Sequence, residues 1–207
     1  MNEEKEIFTV ESFNEYKFKE KGSEFIGQVF HVECEEEADE ILKSVKKKYY
    51  DARHHCYAFQ LFDGSFRYSD DGEPNGTAGI RIHNAIKHFN LSNVLIISIR
   101  YFGGVKLGVG PLGKAYYNSA FFAVKNADII KKEEFYKIKI LYDYNHTRHI
   151  HHFLETYKAK ITGDSFAGKP VIECLIRPKF IEKLSDDFSA ASNNQIKLEV
   201  DETIILL

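Results

Sequence analysis

Three carboxylates crowd one short stretch, SDDGEPNGTAG (69–79): Asp70, Asp71 and Glu73. Acids this close are able to hold a hard cation or to work as an acid and a base. The same residues also suit Asx turns, with Asp-Gly and Glu-Pro making the bends. No EF-hand spacing is present, so no metal is expected. Upstream, ARHHCYAF (52–59) puts His54 and Cys56 on one face of a strand and His55 on the other. A Cys/His pair near Asp70 or Asp71 has the makings of a nucleophile. Cys56, however, shares its face with Ala58 and so points into a core, where a thiol behaves as a small hydrophobe. His146, His149 and His152, with His151 beside them, read as a solvated helix face rather than a metal site. No residue is assigned a catalytic role.

The stretch YFGGVKLGVGPLGKAY (101–116) spells G-x-G-x-x-G over 108–113 and G-x-x-x-x-G-K over 108–114. A dinucleotide fingerprint needs a strand ending at its first glycine and a βαβαβ alternation; here Gly103 and Gly104 break the chain first. A P-loop needs a hydroxyl after its lysine. Ala115 stands there instead, and Pro111 removes an amide donor. No nucleotide cofactor is expected. What survives is physical: a glycine-rich backbone, a following helix N-terminus with free amides, and flanking cations. The candidate anion- or nucleic-acid-binding set is Arg100, Gly103, Gly104, Lys106, Gly108, Gly110 and Lys114. A tight turn whose glycines serve packing alone explains the same residues equally well.

Charge bears on that choice. The chain carries a net charge of −3, so no global basic field advertises nucleic acid. Yet the window from Arg81 to Asn126 has no Asp or Glu, while it holds Arg81, Lys87, Arg100, Lys106, Lys114 and Lys125. A local anion-facing surface is one reading, and a solvated surface with random charge order is the other. Cys34, Cys56 and Cys174 are scattered and odd in number, which fits a reducing cytosol rather than a disulfide framework. MNEEKEIFTV lacks an apolar h-region, so no signal peptide is expected. VLIISI (94–99) is too short to span a membrane.

These groups need a frame. Residues 24–33 read as a strand, and 35–49 as a helix with its acids first and its lysines last, as the helix dipole favours. HCYAFQLF (55–62), a turn at Asp63–Gly64 and the return over 65–68 read as a hairpin. A helix over 77–89, a strand over 93–100 and a helix over 111–126 complete the first half. After KKEE (131–134) the pattern resets. FYKIKILY alternates, a helix covers 145–157, and two strands bracket a turn at Ala167, Gly168 and Lys169. Pro178 opens another helix, and QIKLEVD (195–201) alternates again. That order is βαββαβ, the ferredoxin-like split unit. The expectation is an α+β chain of two domains, 1–132 and 133–207.

Taken together and in order, GSEFIG, ARHHCYAF, SDDGEPNGTAG and RYFGGVKLGVG resemble the IMPACT family. The second half extends the likeness to its bacterial YigZ-type members. The resemblance implies a first domain that is an α/β sandwich folded like the second domain of a small-subunit ribosomal protein. It implies a ferredoxin-like second domain similar to one in elongation factor G. It marks Asp70, Asp71, Gly72, Glu73, Pro74, Gly76, Thr77 and Gly79 in one loop. In the other it marks Arg100, Tyr101, Phe102, Gly103, Gly104, Lys106, Leu107, Gly108 and Gly110. This chain then departs: Pro111-Leu112-Gly113-Lys114-Ala115-Tyr116 stands where the family usually has G-L-V-R-A-Y. Lys114 keeps the positive charge but loses the planar guanidinium fork.

Eukaryotic members are linked to translational control, and the resemblance implies binding of RNA or the ribosome for bacterial ones. The expected function is a translation-associated regulator that binds RNA or the ribosome through the basic glycine loop. Tyr101, Phe102, Tyr116 and Tyr117 would add stacking if exposed, although such aromatics are more often core. Two other readings stay open. One is an enzyme on a small phosphorylated or acidic substrate, with both motif loops lining one pocket. The other is a protein-interaction module without chemistry. A phosphate-like anion is among the expected partners and a membrane is not.

Overall fold

The computed structural model describes residues 6–166 and 168–207. Residues 1–5, part of the segment read for a leader, and Ala167 of the expected turn lie outside the described residues. The chain divides into two compact units, Glu6–Lys131 and Lys132–Leu207. Each mixes helices with antiparallel sheet, which is an α+β architecture.

The first unit runs β1 (Ile7–Val10), β2 (Asn14–Glu20), β3 (Ser23–His31), α1 (Glu35–Lys48), β4 (His54–Gln60) and β5 (Phe66–Ser69). It continues with α2 (Gly79–His88), β6 (Val94–Tyr101), α3 (Val109–Lys125) and β7 (Ile129–Lys132). Five strands form one antiparallel sheet in the order β2-β3-β6-β4-β5. The central strand β6 is the continuous apolar run, because it is buried on both faces. Val94 and Ile96 point to the layer made by α2 and α3, and Leu95, Ile97 and Ile99 point to α1. The site's cations are thus carried on a helix layer clamped to a dry sheet.

Helix α1 has no side chain capping it at Cys34. Glu37 reaches back instead and accepts the Glu33 amide at 2.8 Å, and acids fill the first turn where the dipole favours them. The strands β1, β2 and β7 were not foreseen in the sequence. In β2 (NEYKFKE) most side chains are only half buried, so its polar alternation hides it. It pairs with β3 through a two-residue turn at Lys21 and Gly22, both at positive φ (46° and 82°), the hairpin geometry that follows strand twist. Helix α3 starts two residues ahead of Pro111, the expected first residue, because proline is tolerated in a first turn whose amides have no helical partner.

The second unit runs β8 (Glu134–Leu141), α4 (Thr147–Thr156), β9 (Lys160–Ser165), β10 (Val171–Ile176), α5 (Ile181–Ser192) and β11 (Lys197–Leu206). Its sheet order is β11-β8-β10-β9, antiparallel throughout. One face packs on α4 and α5 through Ile138, Ile140, Ile150, Leu154, Leu184 and Phe188. On the other face Lys137 pairs with Glu173 at 2.7 Å and lies opposite Asp201, while Lys139 lies between Glu173 and Glu199. That face is laced with both signs of charge. No helix among the described residues is long and apolar enough to cross a membrane.

The closest approach of the first unit's layers is at Gly27 in β3. A Cβ there would sit 2.0 Å from the Ser119 carbonyl oxygen of α3. The hydroxyls of Ser98 and Ser119 bond across the same contact. Gly27→Ala must push the α3 backbone off the sheet. Its expected cost is about 1–3 kcal/mol, read as a lower urea midpoint at unchanged slope.

Candidate functional site

Arg100 ends the α2/α3-facing row of β6 and is 5% exposed. Its guanidinium donates to Glu73 Oε1 at 2.5 Å and to Ser23 Oγ at 3.3 Å. It also lies 5.4 Å from the Phe25 ring centroid and 5.5 Å from that of Phe102. Tyr116, wholly buried on α3, donates its hydroxyl to the same Glu73 oxygen at 2.7 Å. His54 Nε2 stands 3.6 Å from it. The sequence suggests Arg100 as a cation at the mouth of the glycine loop, and the structure corrects that. A guanidinium out of water needs a partner, and Glu73 is it. Tyr116 is core, as such aromatics more often are, and offers no exposed stacking ring.

The other carboxylates of the SDDGEP loop are also occupied. Asp70 Oδ1 accepts the amides of Ala78 and Gly79, both at 2.8 Å, and Oδ2 accepts that of Gly76 at 2.9 Å. Gly79 opens α2, Ala78 is its N-cap and Gly76 lies in the loop ahead, so a carboxylate of the chain itself sits at that helix start. Asp71 accepts the His55 amide at 2.6 Å and pairs with Lys46 at 3.0 Å. Its carbonyl takes a hydrogen bond from His54 Nδ1 at 2.8 Å. Gly72 packs beside the His54 ring, and Thr77 donates its hydroxyl to the Pro74 carbonyl at 2.6 Å. Cys56 is wholly buried and donates its thiol to the Asp70 carbonyl at 3.0 Å. Burial, foremost, pushes that thiol far above its ordinary range, so it stays protonated and weakly nucleophilic. Among the described residues no group of His, Cys, Asp and Glu has the geometry to hold a metal ion.

The glycine loop divides into an anchored end and an open end. The Gly103 amide donates to Ser23 Oγ at 3.1 Å. A Cβ on Gly103 would lie 1.9 Å from the Gly22 carbonyl carbon, so this glycine serves a backbone-to-backbone contact and its amide is not free for an anion. Gly104, Gly108 and Gly110 face open space, and Lys106 is exposed among them. Gly108, at φ 86°, caps α3 without a side-chain hydrogen bond. At the start of α3 the amides of Val109 and Gly110 have no partner among the described residues, whereas Pro111 has none to offer and Leu112 donates to the Gly108 carbonyl at 3.0 Å.

Beside that start, an open cleft of about 480 Å³ lies between α2 and α3, lined by Arg81, Asn84, Gly110, Gly113, Lys114 and Tyr117. Arg81 lies across α3 at Gly113, where a Cβ would come within 3.3 Å of its Nε. No acid lines the cleft, and neither helix contains one. Neither Arg81 nor Lys114 has an ion-pair partner among the described residues. Of the expected set, Gly110 and Lys114 meet here. Gly104, Lys106 and Gly108 stay in the open loop, Arg100 is buried in contacts of its own, and the Gly103 amide is taken by Ser23. Arg81, Asn84 and Tyr117 were missing from that set. Their signal was present in part: the acid-free window begins at Arg81, and Asn84 follows one turn later.

The model of the Impact N-terminal domain matches residues 21–124. The chain belongs to the IMPACT family. An IMPACT family member from Haemophilus influenzae is 31% identical over 186 residues, covering 88% of this chain and 90% of that protein. The IMPACT family member YigZ of Escherichia coli is 29% identical over 187 residues, covering 86% and 91%. A protein IMPACT homolog from Dictyostelium discoideum is 36% identical over 95 residues, covering 43% and 27%. A crystal structure described as that of a hypothetical protein has the same fold: TM-score 0.68, 24% identity, 96% of this chain and 98% of that one.

Two outcomes follow from these contacts. Arg100→Met and Glu73→Gln each leave one half of a buried pair behind, at an expected cost of about 3–5 kcal/mol; the double variant should lose less than the sum in urea unfolding. His83 on α2 is 1% exposed, and burial, then Lys87, holds its ring below the ordinary imidazole range. Its lowered folded pKa makes the neutral ring the stable form. Its contribution is therefore complete above the unfolded value of about 6.5 and is lost as pH falls from there towards the folded value. Unfolding measured through that window should show the loss, and His83→Gln should remove it.

Proposed function

We propose that this chain is a translation-associated module that contacts RNA or the ribosome through the α2–α3 cleft and the glycine loop beside it. One observation carries the reading: the cleft joins Arg81 and Lys114 to an uncapped helix start, with no acid in either helix. Phosphates suit that combination of cations and amides. On the second unit's open sheet face the lysines are balanced by Glu173, Glu199 and Asp201, so among the described residues that face offers no equivalent. Its βαββαβ order and antiparallel β11-β8-β10-β9 sheet support a ferredoxin-like domain of the kind found in elongation factor G. The helix-flanked five-stranded sheet supports a first domain like the second domain of a small-subunit ribosomal protein. A hydrolytic or transfer enzyme has weaker support, since Asp70, Asp71 and Glu73 all serve internal donors and none lines the cleft.

A second reading has its own observation. Phe102, Val105 and Val109 are exposed on the same loop, which suits a protein partner. Capture of protein from lysate that survives nuclease treatment would favour that reading. For the primary reading, the log–log salt dependence of RNA binding should fall by about 0.7–0.9 for each phosphate contact removed. Arg81→Glu and Lys114→Glu should each weaken binding and flatten that slope. Both side chains are exposed, so the fold is unaffected. If neither variant changes affinity or slope, the reading is wrong.

A further inference from the structure

Strand β5 ends the sheet and turns two large aromatic side chains outward: Phe66 is 53% exposed and Tyr68 43%. Both stack on His83. The Phe66 and His83 rings are 4.6 Å apart at 10°, and those of Tyr68 and His83 are 6.3 Å apart at 21°. His83 is held from beneath by Gln60, whose Oε1 lies 3.0 Å from Nε2, so the ring bearing both aromatics is fixed in the core. Its Nδ1 is buried with no partner among the described residues. The exposed face of α2 presents Arg81, Asn84 and Lys87 at i, i+3 and i+6. Arg81 and Asn84 line the cleft on the α3 side, and the Lys87 ammonium stands 6.0 Å from the Phe66 ring centroid on the β5 side. Cations and exposed rings therefore share one helix face.

We propose that Phe66 and Tyr68, backed by His83, form a base-stacking platform for single-stranded nucleic acid whose backbone runs over α2 into the cleft. This rests on the phosphate-binding reading of that cleft. An exposed ring held rigid from behind is what a base needs, and every base has a π-face to offer. Spacing selects the strand form. Residues at i and i+2 of a strand are about 7 Å apart, twice the roughly 3.4 Å per nucleotide of a stacked strand. A duplex keeps its bases stacked inside and cannot deliver successive ones to both rings. The acid-free face of α2 would meet the phosphates, with the flexible Lys87 side chain moving from the ring to the backbone.

The test uses the full chain, a fluorescent oligoadenylate RNA of about 12 nucleotides and the same strand annealed to its complement. Wild type should bind the single strand more tightly than the duplex. Phe66→Leu keeps an apolar side chain on His83 and should fold normally. It should lower single-strand affinity about tenfold, leave duplex affinity and salt slope unchanged, and be rescued by Phe66→Tyr. If Phe66→Leu leaves single-strand binding intact, or weakens both forms alike, the platform is overturned. Where Arg81→Glu and Lys114→Glu still weaken binding in that case, the phosphate-binding reading stands. Failure of the wild type to bind either form overturns both.

Discussion

The buried pair between Arg100 and Glu73 is the contact on which the first unit's motif residues depend. It joins the end of the central strand to the SDDGEP loop, and Tyr116 brings α3 to the same carboxylate oxygen. Ser23 adds the β2–β3 turn, because its hydroxyl meets both Arg100 and the Gly103 amide. Two charges removed from water are stable only when each satisfies the other and the remaining donors find acceptors. The two motif loops of this chain are therefore halves of one interaction, separated in the chain and joined in space.

A second constraint separates the two helices of the site layer. Helix α2 begins under Asp70, whose oxygens take up three amides. Helix α3 begins at Gly108 with no carboxylate of its own. The same backbone dipole is neutralised in one helix and left for an external anion in the other. Charge follows the same division: the acids cluster ahead of α2, while Arg81 on α2 and Lys114 on α3 line the cleft.

How much of this was legible in the sequence depends on what each residue interacts with. The β6 run, the α1 charge order and the βαββαβ order of the second half were readable because they are local patterns. The polar strand β2 and the short strands β1 and β7 were not, since their identity lies in pairing rather than periodicity. Site residues divide the same way. Lys114 and Gly110 sit next to a helix start, which sequence can mark. Arg100 looked exposed because its partner is 27 residues away. Phe66 gave no signal at all, since an aromatic in a short strand is ordinarily core, and only the end position of β5 leaves it outside. The motif glycines were ambiguous for a physical reason: Gly103 and Gly110 read alike, yet one abuts backbone and the other faces solvent.

The close approaches at Gly27 and Gly113 also bear on how the cleft would receive a guest. Its α3 wall is set by main chain against main chain at Gly27, and Gly113 leaves room for the Arg81 side chain to lie across that helix. The α3 wall cannot slide far without separating the sheet from its cover. A receptor of that kind favours lock-and-key recognition: it gives up little freedom of its own on association, and its selectivity comes from a preset width rather than from moulding around whatever arrives.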